Sequence, residues 1–388
     1  MVQFEFATAT RIIFGLGELG RIGALASEFG GKALLIAGKN LGRATRLIAY
    51  LKDHSVQVVI YQIEGEPTVQ DVKEGADFAR QNQAELVIGM GGGSVLDAGK
   101  AISALATNPG DIYEYLEVIG KGSSLKLSPL PYIAIPTTAG TGSEVTRNAV
   151  LGSPEQGLKV SMRSAMMIPR VALVDPELTF SVPSMITANT GLDALTQLIE
   201  PFVSAHANPL TDAICHQGIG FVARSLWIAV QDGGNAVARQ EMALASLFGG
   251  LALANAKLGA VHGFAGVLGG KYSAPHGAIC ARLLPEVMRV NARGLTERDP
   301  GNVAIVKYRE LAQIVTSDPG ASIMDGIDWV ENLCTDLGIK GLLSFGIKPA
   351  HFGDLIPKAQ NASSMKGNPI RLTEQELAEI LKRGLVDY

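Results

Sequence analysis

The chemistry legible in this chain sits in Met90-Gly-Gly-Gly-Ser-Val-Leu-Asp-Ala-Gly-Lys100 and in three polar residues far downstream, Asp193, His262 and His276. The glycine run reads as a phosphate cradle, because glycine lets the backbone approach an anion and free N–H groups at a helix start bind it. One carboxylate and two imidazoles suit zinc or ferrous iron. Together they are the equipment for moving a hydride while a Lewis acid polarises an oxygen. Each half has a plainer alternative on the residues alone. The glycines fit an ordinary strand-to-helix turn, and the histidines fit capping or hydrogen-bonded core positions as well as metal positions. Asp193, taken alone in an apolar helix, reads equally as a capping or solvated residue.

Two glycine motifs compete for a pyrophosphate. Gly15-Leu-Gly-Glu-Leu-Gly20 matches GxGxxG after the short run Arg11-Ile-Ile-Phe14. A dinucleotide fingerprint also needs an acid about 20 residues on, at the end of the next strand. That strand ends Ala37-Gly-Lys-Asn40 without one, so a tight turn is the reading there. Gly91-Gly-Gly-Ser94 follows the apolar run 86–89 and opens a helix through Asp97, Lys100 and Ala104. Pro136-Thr-Thr-Ala-Gly-Thr-Gly-Ser143 is a second polar loop at a strand's C-terminal end, the edge where open α/β sheets bind ligands. Two such loops at successive strand ends strengthen the binding reading beyond either alone. Downstream, Asp193 and Gln197 stand four apart on a predicted helix and share a face.

The elements that must hold these groups fall into two textures. Over about the first 180 residues short apolar runs, at 32–37, 56–61, 86–89, 132–135 and 171–174, alternate with helix-like stretches such as 68–82. That is the pattern of a parallel sheet flanked by helices. From Ser184 onward Ala- and Leu-rich runs dominate and predict a helical half, with Ser184 as a candidate cap. Thr373-Glu-Gln-Glu376 predicts a capping box before the last helix. The expected domains are 1–180, an α/β dinucleotide-binding domain, and 181–388, a helical metal- and substrate-binding domain. Residues 242–270 resemble a membrane span, but Asn255, Lys257 and His262 interrupt it, and packed core helices are the better reading. No second candidate span is expected.

With 388 residues the chain exceeds one hydrophobic core. Hydrophobic content of 47% against 18% charged argues a well-buried globular protein rather than a disordered one. A net charge of −4 gives no reason to expect nucleic acid or an anionic membrane as partner. Cys215, Cys280 and Cys334 are few, odd in number and widely spaced, which suits reduced thiols in the cytoplasm. The first residues show no basic or apolar leader region, so no signal peptide is expected.

These motifs resemble one family over nearly the whole chain. Gly91-Gly-Gly-Ser-Val-Leu-Asp97, Pro136-Thr-Thr-Ala-Gly-Thr-Gly-Ser-Glu-Val-Thr146, Asp175-Pro-Glu-Leu178, the stretch 191–200, Ala207-Asn-Pro-Leu-Thr-Asp212, Leu258-Gly-Ala-Val-His262 and Met365-Lys-Gly-Asn-Pro369 are similar to those of iron-containing (group III) alcohol dehydrogenases. Glycerol dehydrogenase and dehydroquinate synthase are relatives of that family. The resemblance implies a Rossmann-like α/β domain followed by an all-α domain, the dehydroquinate synthase-like architecture. It implies an NAD(P)-dependent alcohol dehydrogenase or aldehyde reductase, at least dimeric, acting on a small alcohol or carbonyl. Carried over by position, Gly92, Gly93 and Ser94, with Asp97 in the same motif, hold the pyrophosphate. Thr137, Thr138, Thr141 and Ser143, with Asn148 and Lys159, line the rest of the cofactor. Asp193, His262 and His276 match metal positions for Fe2+ or Zn2+ and are the expected catalytic group.

Three departures from the family pattern matter. The fourth metal position, usually His, is Gln197, and an amide oxygen is the weaker ligand. Gly266 stands where another His often lies near the nicotinamide, so a proton relay through that imidazole is absent and a wider cleft is expected. Gly38 stands where NAD-preferring members carry Asp, with Lys39 and Arg43 close by, so NADP is expected to be accepted and preferred. The alternatives are a metal-independent reductase resembling maleylacetate reductases, a cyclase or lyase like dehydroquinate synthase, and a non-catalytic nucleotide-binding sensor.

Overall fold

The apolar runs of the first half fold into strands β1 Arg11–Phe14, β2 Lys32–Gly38, β3 Gln57–Ile63, β4 Leu86–Gly91, β5 Tyr132–Pro136, β6 Asn148–Ser153, β7 Leu158–Arg163 and β8 Val171–Val174. This computed structural model describes residues 3–108, 110–272 and 274–387. Six strands pair in the order β1-β8-β5-β4-β2-β3, all parallel, while β6 and β7 form a separate antiparallel hairpin. Strands β2, β4 and β5 are apolar almost without alternation because both faces are covered. Leu34, Ile36, Val87 and Ala134 pack toward helices α3 Val69–Gln81 and α4 Gly93–Thr107. Their neighbours Ala33, Leu35, Ile88 and Ile133 face α1 Ile22–Ser27 and α2 Thr45–Asp53. The chain runs outward from β2 to β3, then returns to the other side of β2 as β4. The order reverses there, so Gly38 and Gly91 end the two strands that flank the switch point.

The GxGxxG segment is a turn. Gly17 adopts φ 77°, a left-handed conformation that favours glycine, and leads into one 3-10 turn, Glu18–Arg21. The amides of Gly17 and Leu19 donate to the Asp175 carboxylate at 3.1 and 3.0 Å, so these donors of the loop are consumed within the fold.

The second half is helical: α5 Ser184–Val203, α6 Pro209–Gln231, α7 Ala236–Ala256, α8 Ala260–Lys271, α9 His276–Arg298, α10 Val303–Thr316, α11 Ile323–Asp336, α12 Phe352–Asn361 and α13 Glu374–Arg383. Helix α5 packs against α6, α7 and α9, and residues 191–203 are buried. The capping box at Thr373 and Glu376 forms. Ser184 does not cap α5: Pro183 occupies the cap position, and Ser184 is the first helical residue. The apolar stretch 242–270 divides between α7 and α8, which bend by 101° at their junction. The expectation of no second span-like stretch needs correcting, because α6 is long and apolar enough by length and composition to cross a membrane. Its Cys215, Ile219, Val222 and Leu226 lie in the helical core, which accounts for that apolarity.

The chain divides into two compact units. One comprises Thr8–Thr138 and Gly142–Phe180, the other Ser181 onward with Ala139–Thr141 and the residues up to Ala7.

Candidate active site

Within the helical unit, Asp193, Gln197 and Glu200 recur at i, i+4 and i+7 on α5 and so share one buried face. His262 lies in the first turn of α8, and His276 and Cys280 in the first two turns of α9. Asp193, His262, His276 and Cys280 each present one donor atom, and the four atoms lie within 4.8 Å of one another. Asp193 Oδ1 is 3.4 Å from His262 Nε2 and 3.8 Å from His276 Nε2. A cation bound at about 2.0–2.1 Å by such ligands separates them by roughly 3.3–3.4 Å, so the spacing fits a metal. Asp193 Oδ1 is also buried and accepts no hydrogen bond, which a buried carboxylate oxygen tolerates only when something else satisfies it.

The supporting contacts fix the donors. Glu200 Oε2 accepts His262 Nδ1–H at 2.6 Å, which fixes the ring with Nε2 toward Asp193. Glu200 Oε1 accepts the Val261 amide at 2.7 Å and so also caps the start of α8. Gly259 makes room for this: a Cβ there would stand 2.8 Å from Glu200 Oε1. Gln197 Nε2 donates to Gly140 O at 3.0 Å and to Asp193 Oδ2 at 3.3 Å, so the amide orients the carboxylate. Burial works against ionisation of Asp193, but His276 and His262 outweigh it and hold the carboxyl below its ordinary value. Burial also opposes protonation of His262, yet its neighbours Cys280, Glu200 and Asp193 raise it well above the usual imidazole range. Burial pushes the Cys280 thiol up to about 12. His276, with 35% of its side chain exposed, is the solvent-facing edge of an otherwise enclosed group.

The α/β unit gathers most of the residues expected at a cofactor. Gly92 is the extended cap residue of α4, and no side chain caps that helix, whose first turn contains Gly93 and Ser94. Its amides therefore suit an anion, at the carboxyl edge of the sheet beside the switch point. Thr137 follows β5, and Thr138 Oγ1 would stand 3.3 Å from a Cβ at Gly92. Thr141 counts with the helical unit instead. Asp97 is engaged within the fold: it accepts from Ser143 Oγ at 2.5 Å and from the Val150 amide at 2.9 Å, and pairs with Lys100 at 3.0 Å. Lys100, fully buried, donates to Thr146 Oγ1 and to the carbonyl of Asn148. Asp97, Ser143 and Asn148 thus tie α4 to the hairpin. Lys159 on β7 pairs with Glu66 at 2.5 Å. A Cβ on Gly38 would meet only Val95 Cγ2, at 4.0 Å, and exposed Lys39 pairs with Glu64 at 3.5 Å. Around Gly266 a Cβ would meet nothing within 4 Å.

Sequence reasoning passed over Cys280 and the bridging role of Glu200. The signals were present as a four-residue step from His276 and a seven-residue step from Asp193.

Comparison with known proteins places the chain in a family. The iron-containing alcohol dehydrogenase profile matches residues 9–176, and the C-terminal profile of the Fe-containing alcohol dehydrogenase family matches residues 187–385. A 1,3-propanediol dehydrogenase of Klebsiella pneumoniae is 36% identical over 98% of this chain and 98% of its own length. The crystal structure of a 1,3-propanediol oxidoreductase superposes with a TM-score of 0.92 at 34% identity, covering 99% of this chain and 100% of that one. A sulfoacetaldehyde reductase from Bifidobacterium kashiwanohense, solved in complex with NAD+, superposes with a TM-score of 0.87 at 29% identity over 99% of each chain. The chain therefore belongs to the iron-containing alcohol dehydrogenase family.

Proposed function

We propose that this protein transfers hydride between a nicotinamide dinucleotide and a small alcohol or aldehyde, with a divalent cation, Fe2+ or Zn2+, held by Asp193, His262 and His276. The observation that carries the reading is the buried, unbonded Oδ1 of Asp193 facing two imidazole nitrogens. When bound, the cation supplies Lewis-acid polarisation of the substrate C–O bond. The chain's own residues do the rest. Glu200 and Gln197 hold His262 and Asp193 in place, which spares reorganisation during the reaction. The first turn of α4, at Gly92, Gly93 and Ser94, takes the pyrophosphate, and Thr137, Thr138, Thr141 and Lys159 line the remainder of the nucleotide. Gly266 carries no proton, so the proton exchanges through water or the ribose hydroxyl, and the open space around it admits a bulky substrate.

Cofactor choice follows from Gly38. β2 ends without a carboxylate of its own to take the ribose hydroxyls or repel a 2′-phosphate, and although Lys39 pairs with Glu64, Arg43 adds a second cation near in sequence. NADPH is accepted and preferred over NADH. The test is turnover of a panel of short and branched aldehydes under each cofactor, with and without a chelator. Activity that requires metal and favours NADPH fits the reading. Turnover unaffected by complete metal removal would assign a metal-independent reductase, and cofactor binding without turnover a sensor.

A further inference from the structure

We infer that Cys280 is a fourth protein ligand of the cation, taking the coordination position that Gln197 leaves unfilled and making this a thiolate-containing site. The inference rests on the reading that Asp193, His262 and His276 hold a divalent cation. Cys280 follows His276 by four residues on α9, so both project from one face. Its Sγ lies 3.7 Å from His276 Nε2 and 3.9 Å from His262 Nε2. A tetrahedral zinc with sulfur at about 2.3 Å and nitrogen at about 2.0–2.1 Å separates those atoms by roughly 3.6 Å. Sulfur, two nitrogens and Asp193 Oδ1 thus mark the corners of one coordination polyhedron. Asp193 Oδ1 supplies the independent sign of a ligand, being buried, aimed at this group and without a hydrogen bond.

Gln197 explains why the fourth donor comes from elsewhere. Its amide nitrogen donates to Gly140 O and Asp193 Oδ2, so Gln197 is engaged in holding the carboxylate, and an amide oxygen is in any case a weaker ligand than a thiolate. The other cysteines are differently placed: Cys334 Sγ donates to Ala281 O, and Cys215 lies among apolar core residues. On binding, the Cys280 thiol releases its proton to solvent and a sulfur lone pair forms the metal–sulfur bond, with no change of oxidation state. Thiolate and Asp193 carboxylate together balance the dication. A soft ligand in place of an imidazole or amide turns selectivity toward zinc rather than ferrous iron.

The test uses the full-length protein stripped with a chelator and loaded with Co2+, whose spectrum reports its ligands. A strong near-ultraviolet thiolate-to-cobalt absorption is expected in the wild type and should vanish in C280A. Zinc affinity in C280A, read by competition with a chromophoric chelator, should fall by more than the 10- to 100-fold, roughly, that loss of an outer supporting partner costs. The near-isosteric C280S covers the case in which C280A does not fold, since an alcohol oxygen gives no such band. Stoichiometric Co2+ binding without the band would overturn the role of Cys280 and leave the three-residue site standing. Failure of the wild type to bind either Co2+ or Zn2+ would overturn both.

Discussion

Replacing Glu200 by Ala separates the support of the cation site from its ligands. The carboxylate touches no proposed metal position, yet it accepts two buried donors, His262 Nδ1–H at 2.6 Å and the Val261 amide at 2.7 Å. A buried donor stripped of its partner costs about 1–3 kcal/mol. Removing the anion from the first turn of α8 costs roughly another 0.5–2 kcal/mol. With two such donors E200A should therefore lose roughly 2.5–8 kcal/mol, and at about 2–4 °C per kcal/mol its melting temperature should drop by roughly 5–32 °C. Zinc affinity should fall about 10- to 100-fold, because the His262 ring is no longer held with Nε2 toward Asp193. E200Q keeps one acceptor oxygen for the two donors and loses the charge, so it should recover only part of the stability while affinity stays below wild type. Calorimetric melting of the metal-free proteins, with zinc competition on the same samples, reads both. An E200A protein binding zinc within twofold of wild type would refute the claim that Glu200 orients His262.

G38D has room for its side chain beside Val95 and should shift the ratio of kcat/KM for NADPH over NADH at least tenfold toward NADH. A carboxylate near a 2′-phosphate costs at least about 1.4 kcal/mol, and an unchanged ratio would separate Gly38 from cofactor choice. Burial pushes Glu144 up to about 7, against its backbone hydrogen bond and Lys100. A raised folded-state value contributes stability that is complete below the unfolded value of 4.5 and is lost as pH rises through about 7, roughly 3 kcal/mol in all. E144Q should flatten stability against pH across that window, as urea titrations would show, and a slope equal to wild type would contradict the assignment.

The strands were legible because β2, β4, β5 and β8 are buried on both faces and read as unbroken apolar runs between turn residues. The tight turn at Gly15 to Gly20 was legible as well, from the missing acid, though not the partner: Asp175 lies some 160 residues away and only the β1–β8 pairing brings it near. The cation group was half legible. Residue type singled out Asp193, His262 and His276, but three helices of different sequence position converge there, and no local spacing encodes that convergence. Cys280 was passed over as one of three scattered thiols, because its significance depends on which way α9 faces. Asp97 and Lys100 show the reverse: nothing in the glycine-rich motif announces the hairpin they help to hold, Lys100 from full burial and Asp97 through the Val150 amide. Helix α6 escaped notice as span-like because Asp212, His216 and Arg224 break up its apolar residues.

The central claim is that Asp193, His262 and His276 hold one cation required for hydride transfer. It is tested most directly by titrating Zn2+ or Fe2+ into chelator-stripped protein while following bound metal and aldehyde reduction together. The account predicts that activity returns in proportion to metal and saturates at one equivalent per chain, and that H262A, folded by circular dichroism, recovers neither. Full turnover by the metal-free wild type, or retained metal and activity in H262A, would contradict it.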